Sequence, residues 1–331
     1  MERQENNLPQ TLMEAIKYFS DPDIALNFMV ELRWPEGPTC PQCESKEYTF
    51  ISTRRVWKCK ACKKQYTVKQ GTIMEDSAIA LDKWLAAIWM IANDKNGISS
   101  YEIHRGIGIT QKSAWFLLHR IRLAMQTGTF EKFSGPVEAD ETFVGGKAKN
   151  MHKDKREAKI KGRGAAGKAI VMGILERHGE VRAKVVPNTS GETLQAEIRK
   201  HVELGAEVFT DALPSYEGLS PEYIHEFVNH TEEYVRGNVH TNGIENFWSL
   251  LKRSLKGTYI AVLPHHLFRY VDEQAFRFNN RKFNDFERFL MTCAQMSGRR
   301  LTYRKLTGQT LLRDEVAEVT TDDFRDTLFP L

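Results

Sequence analysis

Two cysteine pairs and three widely separated acids hold the chemical potential of this sequence. The cysteines stand as Cys40-Pro-Gln-Cys43 and Cys59-Lys-Ala-Cys62, with fifteen residues between the pairs. Each C-x2-C closes a tight turn whose thiolates occupy half a tetrahedron, so the four suit a structural zinc ion. Such a closed site leaves no open coordination position, which excludes chemistry at that metal. The acids are Asp140, Asp211 and Glu245. Asp140 sits at the centre of GPVEADETFVGG, Gly135 to Gly146, where apolar residues frame an acidic cluster and glycines close both ends. A carboxylate held in a sheet costs free energy unless hydrogen bonds or a cation satisfy it, so the chain must supply a partner or a metal. Asp211 ends the apolar run AEVFTD, and Glu245 opens the helical run HTNGIENFWSLLKRSLKG. Lys252 follows Glu245 by two helical turns and projects from the same face, one side chain suited to metal and the other to phosphate. Three hard oxygen ligands suit Mg²⁺ or Mn²⁺, with no histidine or cysteine required.

The elements that must position these groups are legible in the patterning. Alternation in Gly135 to Gly146 predicts a strand with Val137, Ala139, Glu141 and Phe143 on one side and Glu138, Asp140 and Thr142 on the other. Glu141 then faces away from Asp140, while Glu138 is placed to support a metal ligand without being one. Lys147 to Lys168 carries nine basic residues against Asp154 and Glu157, with interleaved glycines. It reads as a basic loop for the nucleic-acid backbone, although an ordinary solvated loop has the same composition. KAIVMGILER and EVRAKVVPN predict two strands joined at His178-Gly179. SGETLQAEIRKHVEL predicts a helix opening at Thr189 or Ser190, and EYIHEFVN a further strand. Asp211 exits its strand as sites do at the carboxyl ends of strands in layered α/β domains. Thr241 or Asn242 is the expected cap of the helix bearing Glu245, whose dipole favours an ionised carboxylate in the first turn. His240, Asn242 and Asn246 flank Glu245, where capping and packing explain them as well as substrate contact does.

Upstream, LMEAIKYF and DIALNFMVELRW predict short helices, the second with Asp21 as cap and Pro22 at its first position. YTFIS, RRVWK and QYTV supply three strands around the cysteines, making a zinc ribbon ringed by Arg54, Arg55, Lys58, Lys60, Lys63 and Lys64. These face phosphates or simply solvent. LDKWLAAIWMIAN predicts a helix with Leu81, Trp84, Leu85, Ile88 and Met90 or Ile91 buried. Ser99 and Ser100 cap a short helix, the glycines of RGIGIT turn the chain, and Thr110 caps QKSAWFLLHRIRLAMQ. Three helices with a tight turn before the last fit a helix-turn-helix, and fit a plain three-helix spacer too. In the first reading Gln111, Lys112 and Ser113 meet base edges while Arg120 and Arg122 reach phosphates. Trp115, Leu118 and Ile121 are expected in the core.

With 331 residues and 41% hydrophobic content the chain suits two or three domains, and a formal charge of +4 is too mild to establish a nucleic-acid partner by itself. No apolar run is long enough to span a bilayer, no signal peptide is evident, and a cytoplasmic location is expected. Cys293, within FLMTCAQM, reads as an inert buried thiol. The expected divisions are a helical segment over 1–35, the ribbon over 36–70, the helix-turn-helix-like segment over 71–130, an α/β catalytic domain over 131–295 and a tail over 296–331. The aromatic residues after Pro264 are expected to pack on the catalytic domain.

CPQC, CKAC, QYTVKQGTIMEDS, GISSYEIHRGIGITQKSAWFLLHRIR, VEADETFVGGK, VFTDALPSY, HTNGIENFWSLLKR and RYVDEQAFRFNNRK occur in that order. Together they resemble the DDE transposases of bacterial insertion sequences, specifically the group with an amino-terminal zinc ribbon. The resemblance implies a ribonuclease-H-like fold, Asp140, Asp211 and Glu245 as catalytic acids with Lys252 beside them, and double-stranded DNA as partner, both element ends and target. It also implies a prokaryotic protein that associates with the nucleoid when bound to DNA. Acting on two ends implies a homodimer or larger assembly. Two divalent ions roughly 4 Å apart could serve cleavage by water and then attack by the exposed 3′ hydroxyl. A DNA-binding regulator with an inactive catalytic domain is the competing expectation.

Overall fold

The computed structural model describes residues 8–126, 131–146, 153–154, 167–228 and 240–308. Among these, residues 8–126 and 280–308 form one compact unit and residues 131–279 another. Most of the basic stretch 147–168, and the acidic terminal segment, lie outside the described residues.

The first unit opens with α1 (Leu12–Phe19) and α2 (Pro22–Arg33). Thr11 and Glu14 close a capping box on α1, and the Asp21 carboxylate accepts two backbone N–H groups of α2 with Pro22 at its first position. Strands β1 (Tyr48–Ile51), β2 (Val56–Cys59) and β3 (Gln65–Tyr66) form an antiparallel sheet in that order, with Trp57 and Tyr66 stacked and Trp34 against their edges. Helices α3 (Leu81–Asn93), α4 (Ser100–Ile107) and α5 (Gln111–Ala124) follow, the last two capped by Ser99 and Thr110. Gly108 turns α4 toward α5 in the left-handed region, with φ of +63°.

Helix α3 buries more than a stripe. Trp84, Leu85, Ala87, Ile88, Trp89, Ile91 and Ala92 are all enclosed, because α1, α2, α4, α5 and a later helix pack around it.

The second unit is a layered α/β domain. Strands β4 (Val137–Val144), β5 (Ala169–Glu176) and β6 (Val181–Val186) are antiparallel neighbours. Helix α6 (Gly191–His201) crosses to β7 (Glu207–Asp211), parallel to β4, and β8 (Ile224–Val228) continues parallel. The order is β6-β5-β4-β7-β8, a mixed five-stranded sheet consistent with a ribonuclease-H-like domain. One face packs Val137, Ala139, Met172, Ile174 and Val208 against Leu194 and Ile198 of α6. The other packs Val171, Leu175 and Val181 against α7 (Asn242–Ser254) and α8 (Leu267–Asn279). Both faces are covered, so β5 reads AIVMGILE with scarcely a polar residue.

Two expectations change. Phe286 and Phe289, on α9 (Asp285–Ala294), pack with Phe19, Phe28 and Trp89, so the chain after Asn279 returns to the first unit instead of staying with the sheet to residue 295. Residues 296–298 pair with 71–73, and α10 (Tyr303–Leu306) carries the segment on. Second, Arg120 and Arg122 do not face solvent. They are 7% and 1% exposed, and the Arg120 guanidinium donates to the Leu301 carbonyl at 3.1 Å and lies over Phe116. Their position on α5 turns them toward the bundle interior, away from any phosphate.

Candidate active site and zinc centre

The ribbon brings the four cysteines together. Their sulfurs all lie within 4.8 Å of one another, with Cys40 and Cys62 3.7 Å apart and Cys43 and Cys59 3.6 Å apart. Tetrahedral Zn–S bonds of ~2.3 Å place sulfurs about 3.8 Å apart, so the cluster fits a structural zinc. Each knuckle is shaped by the residue after its second cysteine. Glu44 and Lys63 both adopt left-handed conformations, at φ of +58° and +62°. The Cys62 N–H also points at the Cys59 sulfur, 3.5 Å away.

In the second unit, strand pairing sets Asp140 and Asp211 on neighbouring strands, and packing lays α7 against Asp140. Asp140 lies on β4, and the parallel register pairs Val137 with Val208 and Glu138 with Phe209. Continuing that register sets Asp140 level with Asp211, on strands about 4.8 Å apart. Alternation holds as expected: the Glu141 carboxylate turns to the α6 face, where the Tyr216 hydroxyl donates to Oε2 at 2.7 Å. Asp140 turns to the α7 face, where the Trp248 indole N–H donates to Oδ2 at 2.9 Å. Asp211 stands at the carboxyl end of β7 and its Oδ1 accepts the Leu213 N–H at 3.1 Å, which starts the turn out of the sheet.

These carboxylates repel one another in a partly enclosed place. Burial pushes Asp140 up to about 7, with Glu141 and Asp211 adding and the Trp248 bond opposing. Burial raises Glu141 as well, against its Tyr216 bond, and Asp211 raises it further.

Glu245 sits in the first turn of α7 with its side chain exposed, one helical turn before Trp248. Lys252 is half-buried further along the helix. Thr241 holds the cap position, yet its side chain makes no cap hydrogen bond; the hydroxyl instead lies 3.4 Å from Glu245 Oε1. Among the described residues only the cysteines form a group with ligand atoms all within 4.8 Å; the three acids are not gathered that closely.

Residues 132–279 match the ISXO2-like transposase domain, and residues 21–65 match the transposase zinc-ribbon domain. A transposase-like protein of Haemophilus influenzae is 35% identical over 102 residues, which cover 30% of this chain and 82% of that relative. The chain belongs to the ISXO2-like transposases with an amino-terminal zinc ribbon. A protein in transposable element ISH50 of Halobacterium salinarum is 27% identical over 256 residues, spanning 73% of this chain and 86% of the relative. Transposase membership suggests phosphoryl transfer for the sheet domain and DNA as its partner. No helix among the described residues is long and apolar enough to cross a membrane.

Two contributors escaped the sequence reading. Trp248, three residues after Glu245, holds Asp140 directly, and i, i+3 spacing on the helix was the available signal. Tyr216, in the turn after β7, had no such signal, because only tertiary packing brings it to Glu141. In the first unit, Gln111 donates to Ser100 at 2.9 Å, Ser113 bonds Thr110 at the helix start, and Lys112 is exposed with its ammonium 4.7 Å above the Tyr303 ring.

Proposed function

We propose that this protein binds the ends of an insertion sequence and carries out metal-dependent DNA cleavage and strand transfer, with Asp140, Asp211 and Glu245 as metal ligands. The observation that carries the reading is the crowding of carboxylates where the carboxyl end of β7 runs beside the middle of β4. Asp140 is held by Trp248, one turn from Glu245, and is raised to about 7 by burial and by its acidic neighbours. Maintaining such a cluster opposes folding, and a site retained against that cost fits a cation-binding role better than inert packing. The donors are all oxygen, which suits Mg²⁺ or Mn²⁺.

Divalent ions bound there supply Lewis-acid polarisation of the phosphodiester and activation of the attacking oxygen. The chain's own groups do the rest. Trp248 fixes the orientation of Asp140, Tyr216 keeps Glu141 turned to the opposite face, and Asp211 is oriented by the Leu213 amide. Glu245, in the exposed first turn of α7, would complete the ligand set. Lys252, two turns along, is placed for a phosphate of the DNA. Of the α5 residues, exposed Lys112 remains suited to DNA, with Gln111 and Ser113 beside it at the helix start.

Asp140→Asn is expected to abolish strand cleavage in Mg²⁺, a loss of at least a thousandfold, while end binding in a gel-shift assay stays within threefold. Persistent nicking by the variant overturns the assignment.

A further inference from the structure

We propose that Glu138 is a positioning residue for Glu245: its buried carboxylate fixes the first turn of α7 against β4 and so sets where Glu245 meets Asp140 and Asp211. The inference rests on the reading of Glu245 as a metal ligand.

Glu138 is 1% exposed and shares the α7 face of β4 with Asp140. Its Oε2 accepts the backbone N–H of Ile244 at 3.0 Å, the amide immediately before Glu245. Its Oε1 accepts Arg177 Nε at 3.0 Å and lies 3.3 Å from His240 Nδ1. Arg177 Nη2 in turn donates to the His240 carbonyl at 2.9 Å, and the guanidinium lies 4.1 Å above the ring of Phe209 on β7, two residues before Asp211. One buried ion pair thus touches the strand of Asp140, the strand of Asp211 and the entry to the helix of Glu245.

The local sequence did not require this arrangement. Helix amino termini are ordinarily capped by their own preceding Ser, Thr, Asp or Asn. Thr241 stands at that position and makes no such bond, so the cap of α7 comes from a strand more than a hundred residues away in sequence. A local cap stabilises a helix wherever it lies; a cap from β4 also fixes its position along the sheet. Gly243 permits the approach, since a Cβ there would stand 2.5 Å from Leu175 Cδ2 and 2.8 Å from Glu138 Oε2. Residues that orient metal ligands from behind typically change metal affinity ten- to a hundredfold when altered.

The test uses full-length, zinc-loaded protein. Mn²⁺ affinity is read from the electron paramagnetic resonance signal of free Mn²⁺, and hydrogen exchange follows the amides of residues 242–246. Glu138→Asp keeps the charge for Arg177 but shortens the reach to Ile244. It is expected to weaken Mn²⁺ about tenfold and to speed exchange at Ile244. In a Glu245→Gln background the same change is expected to weaken Mn²⁺ no further, because the ligand it positions is gone. Gly243→Ala, which displaces the turn without touching a charge, is expected to show the same dependence on Glu245 and serves if Glu138→Asp does not fold. Additive losses, or unchanged Mn²⁺ affinity despite faster exchange, overturn the inference. If Glu245→Gln alone leaves both Mn²⁺ affinity and strand cleavage intact, the metal-ligand reading fails instead.

Discussion

At the scale of single residues, Asp140 and Glu141 are each restrained by one aromatic side chain. Asp140 and Glu141 are adjacent in sequence and point to opposite faces, one bonded by Trp248 and the other by Tyr216. Gly173 is equally telling. It lies opposite Asp140 on β5, and a Cβ there would come within 2.7 Å of Trp248 and 2.8 Å of Ile244. Gly173→Ala should therefore push α7 off the sheet and cost about 1–3 kcal/mol, measured by urea denaturation, with a matching fall in strand cleavage. An unfolding midpoint equal to wild type would rule out the close-packed helix. Cys293 shows the opposite case, a thiol whose inertness was expected and whose cause is visible. Burial raises it well above the ordinary thiol range, so little thiolate forms. Native protein should leave Cys293 unlabelled by iodoacetamide over hours, with reaction appearing only under denaturant, as peptide mass mapping can follow.

At the scale of elements, the ribbon and the sheet domain depend on different forces. The ribbon has three short strands, the last of two residues, around a small aromatic cluster. So little apolar burial cannot hold a fold alone, and a zinc ion at the four-cysteine cluster would supply the remainder. Removing zinc with a strong chelator should unfold residues 36–70 and expose Cys40, Cys43, Cys59 and Cys62 to alkylation, while amide protection in β4, β5 and β7 persists. An unchanged calorimetric transition after zinc removal would count against a structural metal. The caps of α2, α4, α5 and α6 follow the sequence signals at Asp21, Ser99, Thr110 and Ser190. The exception is α7, where the signal at Thr241 was present but the bond is made by Glu138. Local capping rules see residues within four positions of the helix start, and Glu138 lies far outside that window.

At the scale of the whole molecule, the chain enters the sheet domain after residue 126 and leaves it after residue 279 to finish the helical unit. Phe289 is completely buried among Phe19, Phe28, Trp89 and Phe286, with Asn93 donating to the Asp285 carbonyl nearby. Truncating such a ring costs about 3–5 kcal/mol. Phe289→Ala should speed hydrogen exchange across α1, α2 and α3 while leaving β4 and β5 protected; uniform acceleration in both units would argue against separate cores. The amino-acid order could not announce this return, since FNDFERFL suits an aromatic helix packed on either unit. The same ambiguity sent Arg120 and Arg122 inward. Their spacing on α5 is compatible with phosphate contact, and only the docking of Leu301 and its neighbours beside that helix encloses them.

Spacing and alternation fixed what neighbouring residues decide: the zinc knuckles, the strand through Asp140, the end of the strand at Asp211, the helix that begins near Glu245. Those follow from backbone geometry over a few residues, where the period of a strand or helix leaves little choice. Packing decided the rest. It set Asp140 beside Asp211, bonded Trp248 to Asp140 and the helix entry to Glu138, and returned the carboxyl-terminal aromatics to the first unit. Contacts between residues a hundred positions apart depend on which apolar faces meet, and one-dimensional patterns record that a face exists without recording what covers it.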